Sequence, residues 1–155
     1  MEAKADCIFC KMVAGQAPCH KIWEDDAHLA FLSIFPNTPG FSVVATKQHY
    51  PSYVFDVDEA VMHALTSAAR KVAKLIDTNL PDVGRTGLMF EGFGVDHLHA
   101  KLFPMHGTRS NTWKPRASKV DKYFEQYEGY LSSHDYQRAD DAQLAALARK
   151  IRGES

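Results

Sequence analysis

The segment Val95-Asp96-His97-Leu98-His99-Ala100-Lys101-Leu102-Phe103 places two imidazoles and an ammonium group at every second position. In an extended strand successive side chains alternate faces, so His97, His99 and Lys101 project one way and Leu98, Ala100 and Leu102 the other. The apolar set should meet a core, which leaves the basic groups in a row, about 7 Å between neighbours. Such a row can grip a phosphate. A histidine near its reference pKa of about 6.5 is partly neutral at physiological pH and can attack phosphorus, while a lysine supplies charge for the negative charge that develops. Gly92 and Gly94, just upstream, allow backbone N–H groups to approach an anion closely. The same alternation also describes an ordinary solvent-facing strand, and a bare His-x-His does not separate the two readings.

Cys7-Ile8-Phe9-Cys10 is the second chemical pattern. Two thiolates at this spacing make half of a tetrahedral zinc site and need two more ligands. A redox pair is the competing reading, although the βαβ context of a thioredoxin-like motif is absent. The chain has three cysteines, an odd number that fits a reducing compartment better than a disulfide framework. Cys19 reads as a packing thiol. His20, His28, His63 and His134 have no spacing partner and read as surface or packing residues.

These groups have to be positioned by a chain of 155 residues, which fits one domain with a core large enough to need no disulfides. A formal net charge of -1 offers no basic surplus for long nucleic acid. No stretch approaches the roughly 20 apolar residues of a membrane span, and the N-terminus lacks a signal-peptide core, so a cytoplasmic location is expected. Lys21–Glu24 and Leu29–Ile34 read as a hairpin turning at Asp25-Asp26, and Phe41–Thr46 as a third strand after Pro36-Asn37-Thr38-Pro39-Gly40. Asp58 can cap a helix whose apolar stripe is Val61, Leu65, Ala68, Ala69, Val72 and Leu75. Gly87–Phe90 and His97–Phe103, the latter ending before Pro104, complete five strands. Two further helices are expected, near 120–130 and 139–152. Strands, then a helix, then strands imply an α+β domain with a mainly antiparallel sheet, one main helix and C-terminal helices.

The ordered set Cys7-x-x-Cys10, Trp23-Glu24-Asp25-Asp26 to Phe31-Leu32, Pro36-Asn37-Thr38-Pro39-Gly40, Lys47-Gln48-His49 and His97-x-His99 resembles the histidine triad (HIT) family, in its zinc-binding bacterial-like branch. The match covers about residues 7–107, with 108–155 as a helical extension of a single domain. The resemblance implies a HIT-like fold, usually a homodimer, that binds a nucleoside monophosphate unit. Members hydrolyse or transfer nucleotidyl groups from phosphoramidates, dinucleoside polyphosphates or nucleotide sugars through a nucleotidyl-histidine intermediate. By position His99 matches the nucleophile and His97 the histidine that supports it. The resemblance also implies a structural zinc held by Cys7, Cys10, His49 and His97. It places Ile8, Ile22, Phe31 and Ser33 around base and ribose, with Gly94, His99 and Lys101 at the phosphate.

Three positions depart from the family pattern. Lys101 stands where the third histidine would be, and lysine, at a reference pKa of about 10.4, is a poor proton donor near neutrality but a good phosphate clamp. Ser33 replaces an aspartate that binds the ribose hydroxyls, and Phe93 replaces a glutamine. Arg85 and His106 are polar residues near the strand that could compensate. The leading expectation is an enzyme with catalytic His99, His97 and Lys101; the alternative is a nucleotide-binding regulatory module with little turnover. A zinc-clasped interaction protein that binds no nucleotide is the third.

Overall fold

The computed structural model describes residues 4–119, 124–129, 131 and 137–154. Five strands, β1 (His20–Glu24), β2 (His28–Leu32), β3 (Ser42–Thr46), β4 (Arg85–Met89) and β5 (His99–Met105), form one sheet in the order β1-β2-β3-β5-β4, with every neighbouring pair antiparallel. With its helices the chain is α+β. The β1–β2 hairpin turns at Asp25, whose carboxylate accepts the backbone N–H groups of Ala27 and His28 at 2.9 and 2.7 Å. That local bond is the reason aspartate favours a turn over a ladder.

Each face of the sheet is covered differently. On one face α2 (Glu59–Asn79) buries Leu65, Ala68, Ala69, Val72 and Ile76 against Ala30, Leu32, Val44, Ala100 and Leu102. The stripe is the expected one except at its end, where Ile76 rather than Leu75 is fully buried. Asp58 occupies the N-cap position, but its main-chain carbonyl and not its side chain meets the first turn, accepting from Val61 and Met62. The C-terminal α3 (Asp141–Ile151) packs Leu144, Ala148 and Ile151 into the same core, and the Asp140 carboxylate caps it by accepting the Gln143 N–H at 3.0 Å. On the other face the six-residue α1 (Ile8–Val13) lays Phe9 and Cys10 over Leu29, Phe31, Val43 and Ala45.

Two expectations are corrected. Residues 124–129 are not helical, and the rest of the segment expected near 120–130 lies outside the described residues. β5 does not start at His97 or stop before Pro104; it begins at His99 and pairs Pro104 with Thr86. The proline is tolerated because β3 ends opposite Leu102, so at Pro104 the strand has a neighbour on one side only. No described helix is long and apolar enough to cross a membrane.

Candidate active site and metal centre

Because β5 begins at His99, the two histidines of His97-x-His99 do not share a strand. The His97 backbone still belongs to the preceding turn, with its N–H donating to the Val95 carbonyl at 2.8 Å, and Leu98 N–H donates to Tyr50. The His97 ring therefore turns toward α1 and the segment after β3. Its Nδ1 stands 3.3 Å from Cys7 Sγ, 3.6 Å from Cys10 Sγ and 3.2 Å from His49 Nδ1, while Cys10 Sγ is 3.4 Å from His49 Nδ1. The four ligand atoms lie within 4.8 Å of one another, and all four residues are buried.

The arrangement fits a tetrahedral cation. With Zn–N near 2.05 Å and Zn–S near 2.3 Å, a tetrahedron has edges of about 3.3 Å between nitrogens and about 3.6 Å between nitrogen and sulfur. Tautomer agrees with distance. His97 Nε2 lies 2.6 Å from the Thr46 carbonyl, which can only accept, so the ring N–H is at Nε2 and Nδ1 presents its lone pair to the cluster. Burial holds the His97 and His49 pKa values below the ordinary range, favouring the neutral, ligating form. The outer nitrogen of His49, Nε2, is buried with no hydrogen-bond partner among the described residues.

His99 is the second outcome of the same turn. Its Nδ1 lies 2.6 Å from the His97 carbonyl, so Nδ1–H donates there and Nε2 is left with the lone pair. Burial first, and then the charge on Lys101, hold its pKa down, against the opposing pull of the carbonyl. The imidazole is thus neutral and oriented by main chain. His99 and Lys101 sit opposite Ala45 and Val43 and line a cavity of about 440 Å³ between α1, the end of β2 and residues 94–95. Phe9 stands edge-on to both histidines, with ring centroids 5.7 Å from His97 and 5.1 Å from His99, and divides cluster from cavity.

Of the residues expected around a nucleotide, Ile8, Phe31, Ser33, Gly94, His99 and Lys101 line this cavity. Ile22 does not. It falls at the irregularity in the β1–β2 register, between Lys21 and Trp23, and its side chain is buried on the α2 face. Nor do the three basic groups form one row: the His97 ring is absent from the cavity lining, and its contribution there is its carbonyl. Ser33 Oγ accepts the Phe35 N–H at 3.1 Å, closing the turn after β2. His106 is held by Asp82 and the Pro39 carbonyl, away from the cavity, and Arg85 does not line it either.

Four further groups were not foreseen. Glu91, nearly buried, pairs with Lys101 (Nζ–Oε2 3.6 Å), and His20, Arg138 and Asp141 line the same cavity. Glu91 had no spacing signal to betray it. Arg138 and Asp141 lie more than a hundred residues from His20 in sequence and reach it only because α3 folds back on β1.

The HIT domain family model matches residues 14–108, well over half of the chain, and the chain belongs to that family. It is 31% identical over 124 residues to protein hit of Bacillus subtilis, spanning 76% of this chain and 85% of that one. Over 102 residues it is 36% identical to adenosine 5'-monophosphoramidase hnt1 of Schizosaccharomyces pombe, spanning 63% and 73% of the two chains. A zinc-bound histidine triad family protein from Mycobacterium smegmatis superposes with a TM-score of 0.66 at 21% identity, covering 96% of this chain and 91% of that one, a likeness of fold.

Proposed function

We propose that this protein cleaves nucleoside phosphate derivatives, phosphoramidates or dinucleoside polyphosphates, at the α-phosphate through a nucleotidyl-histidine intermediate on His99. The observation that carries the reading is the single tautomer of His99 at the wall of a nucleotide-sized cavity: Nδ1–H held by a carbonyl, Nε2 free. In the first step Nε2 bonds to phosphorus as the bond to the leaving group breaks, and the leaving group departs with the electron pair and takes a proton from solvent. The imidazolium this creates keeps its hydrogen bond to the His97 carbonyl, which stabilises the new positive charge. Lys101 and the open backbone at Gly94, where an added Cβ would meet no protein atom, face the phosphate oxygens. An oxygen of water or phosphate then bonds to phosphorus as the P–Nε2 bond breaks; the nucleotide leaves, any proton of the attacking water passes to solvent, and the electron pair returns to Nε2, leaving His99 neutral.

Cys7, Cys10, His49 and His97 would hold zinc, and with four protein ligands leaving no open position the ion would clasp the N-terminal segment to the sheet and supply no chemistry to the reaction. The relative from S. pombe is a monophosphoramidase by description, which supports the phosphoramidate branch. Incubation with adenosine 5'-phosphoramidate should release AMP, and His99→Ala should abolish that release. AMP production by the variant at the wild-type rate would refute the assignment. The Lys101–Glu91 pair favours a second reading, because an ammonium held by a carboxylate is a clamp and not a proton donor. On that reading AMP binds in calorimetry while none of the offered substrates is turned over.

A further inference from the structure

The cavity presents polar side chains at two places. One is the neutral His99 and the charged Lys101 on β5; the other is His20, Arg138 and Asp141. His20 belongs to β1, three strands from β5, which at the usual strand spacing puts the two groups about 14 Å apart across the sheet. With the α-phosphate at His99, a mononucleotide laid over Phe31 extends its base toward this second group, and the intervening lining is apolar: Ile8, Phe9 and Phe31.

The second group has a defined polarity. His20 Nε2 lies 2.9 Å from Asp141 Oδ1, and Arg138 Nη2 straddles the same carboxylate at 3.2 Å from each oxygen. Those bonds hold the Asp141 carboxyl below the usual range, so it is an ionised acceptor at neutral pH. The Arg138 contact is long beside the 2.7–2.9 Å typical of a charge-assisted bond, and both side chains are about half exposed. His20 takes one lone pair of Oδ1 and the Arg138 contacts are the weak ones, so each carboxylate oxygen keeps accepting capacity for a ligand's N–H group.

Resting on the reading of the cavity as a nucleotide site, we propose that Asp141 and Arg138 read the base edge and select guanine. Guanine's Watson–Crick edge offers two adjacent N–H donors, at N1 and N2, which a carboxylate can accept together, and an O6 acceptor that a guanidinium can meet. Adenine's edge offers one donor, at N6, beside the N1 lone pair, which a carboxylate repels. The two residues are specificity-determining and take no part in the phosphoryl chemistry.

The test is calorimetric binding of GMP, IMP and AMP to the full chain, the wild type beside Asp141→Asn and Arg138→Gln. The wild type should bind GMP about tenfold tighter than AMP, with IMP, which keeps N1–H but lacks the N2 amine, between them. Asp141→Asn should reduce the GMP:AMP ratio to about one by weakening GMP and leaving AMP within about threefold. Arg138→Gln, which leaves the His20–Asp141 bond in place, should lower the ratio without changing the melting temperature, so a loosened α3 in the first variant cannot mimic the result. Equal GMP and AMP affinities in the wild type, or a preference that survives both substitutions, overturns the base assignment and leaves the nucleotide reading standing. Binding of none of the three overturns both.

Discussion

The cysteine–histidine cluster and the cavity lie side by side, separated by the Phe9 ring, and are built from histidines two residues apart in sequence. Both imidazoles are almost wholly buried, yet they do opposite things. His97 turns its lone pair inward to three other candidate ligand atoms and gives its remaining N–H to Thr46, so both nitrogens of its ring are engaged in a closed region. His99 gives its N–H to the main chain and keeps a lone pair at the cavity wall. The difference comes from where β5 starts: one residue belongs to a turn and the other to the strand. A closed region should respond to mutation as stability, and an open one as rate and affinity.

The largest effect expected to separate the two regions is loss of the proposed nucleophile. His99→Ala should lower turnover of adenosine phosphoramidate by at least about a thousandfold, since the other imidazole described in the lining, His20, stands three strands away. Zinc content and melting temperature should stay close to wild type; a parallel collapse of metal content would show that the regions are not separable. The reverse experiment is Cys10→Ser. If the proposed zinc is bound, the substitution should take the metal content of purified protein from about one zinc per chain toward zero and cost on the order of 4 kcal/mol in denaturant unfolding, because the buried cluster would lose the ion proposed to bind α1 to the sheet. Metal analysis of wild-type protein prepared without chelator, if it gave clearly less than one zinc per chain, would rule the clasp out.

Lys101 probes the open region more finely. Lys101→Met should reduce kcat/KM about a hundredfold through lost charge at the phosphate, whereas Lys101→His, which restores a third imidazole, should retain or raise hydrolysis. Glu91→Gln frees the ammonium from its partner and should act in the direction of Lys101→Met but by less, about tenfold, as expected of a residue that positions another. A Glu91→Gln effect larger than that of Lys101→Met would assign the carboxylate a role of its own.

Much of this was legible in the chain. β-branched runs and turn residues located the five strands to within a residue or two, and the three–four spacing located α2. The short α1 was not legible, since its Cys7 cap and six residues carry too little periodicity. Strand alternation put Lys101 and His99 on one side correctly but extended the strand two residues too far, and so placed the His97 ring in the wrong region. The cavity's far end was beyond reach, because a helix returning over a hundred residues later leaves no local pattern at His20. Gly92, read as letting backbone approach an anion, does not line the cavity; it adopts φ +81°, and a Cβ there would lie 2.9 Å from the Ser52 carbonyl, so packing on Ser52 is what requires glycine. Resemblance supplied the four candidate metal ligands as a set, and the structure brings them together; no spacing rule could have assembled them from positions 7, 10, 49 and 97.

The smallest effect tests the one misplacement among the apolar contacts. Ile8 and Ile22 both read as lining a base slot, but only Ile8, at 42% exposure, reaches the cavity, while Ile22 is buried beneath α2. Ile8→Ala should weaken mononucleotide binding about fivefold, the loss of roughly 1 kcal/mol of apolar contact with the ligand, and leave the melting temperature nearly unchanged because the side chain is half exposed in the free protein. Ile22→Val removes one methyl group from a packed interior and should cost about 1 kcal/mol of stability with nucleotide affinity held within twofold. Calorimetric affinities and thermal melts on the two variants separate the faces of the sheet. If Ile22→Val weakens binding as much as Ile8→Ala does, the base lies on the α2 side of β1, and the wall assigned to the cavity is wrong.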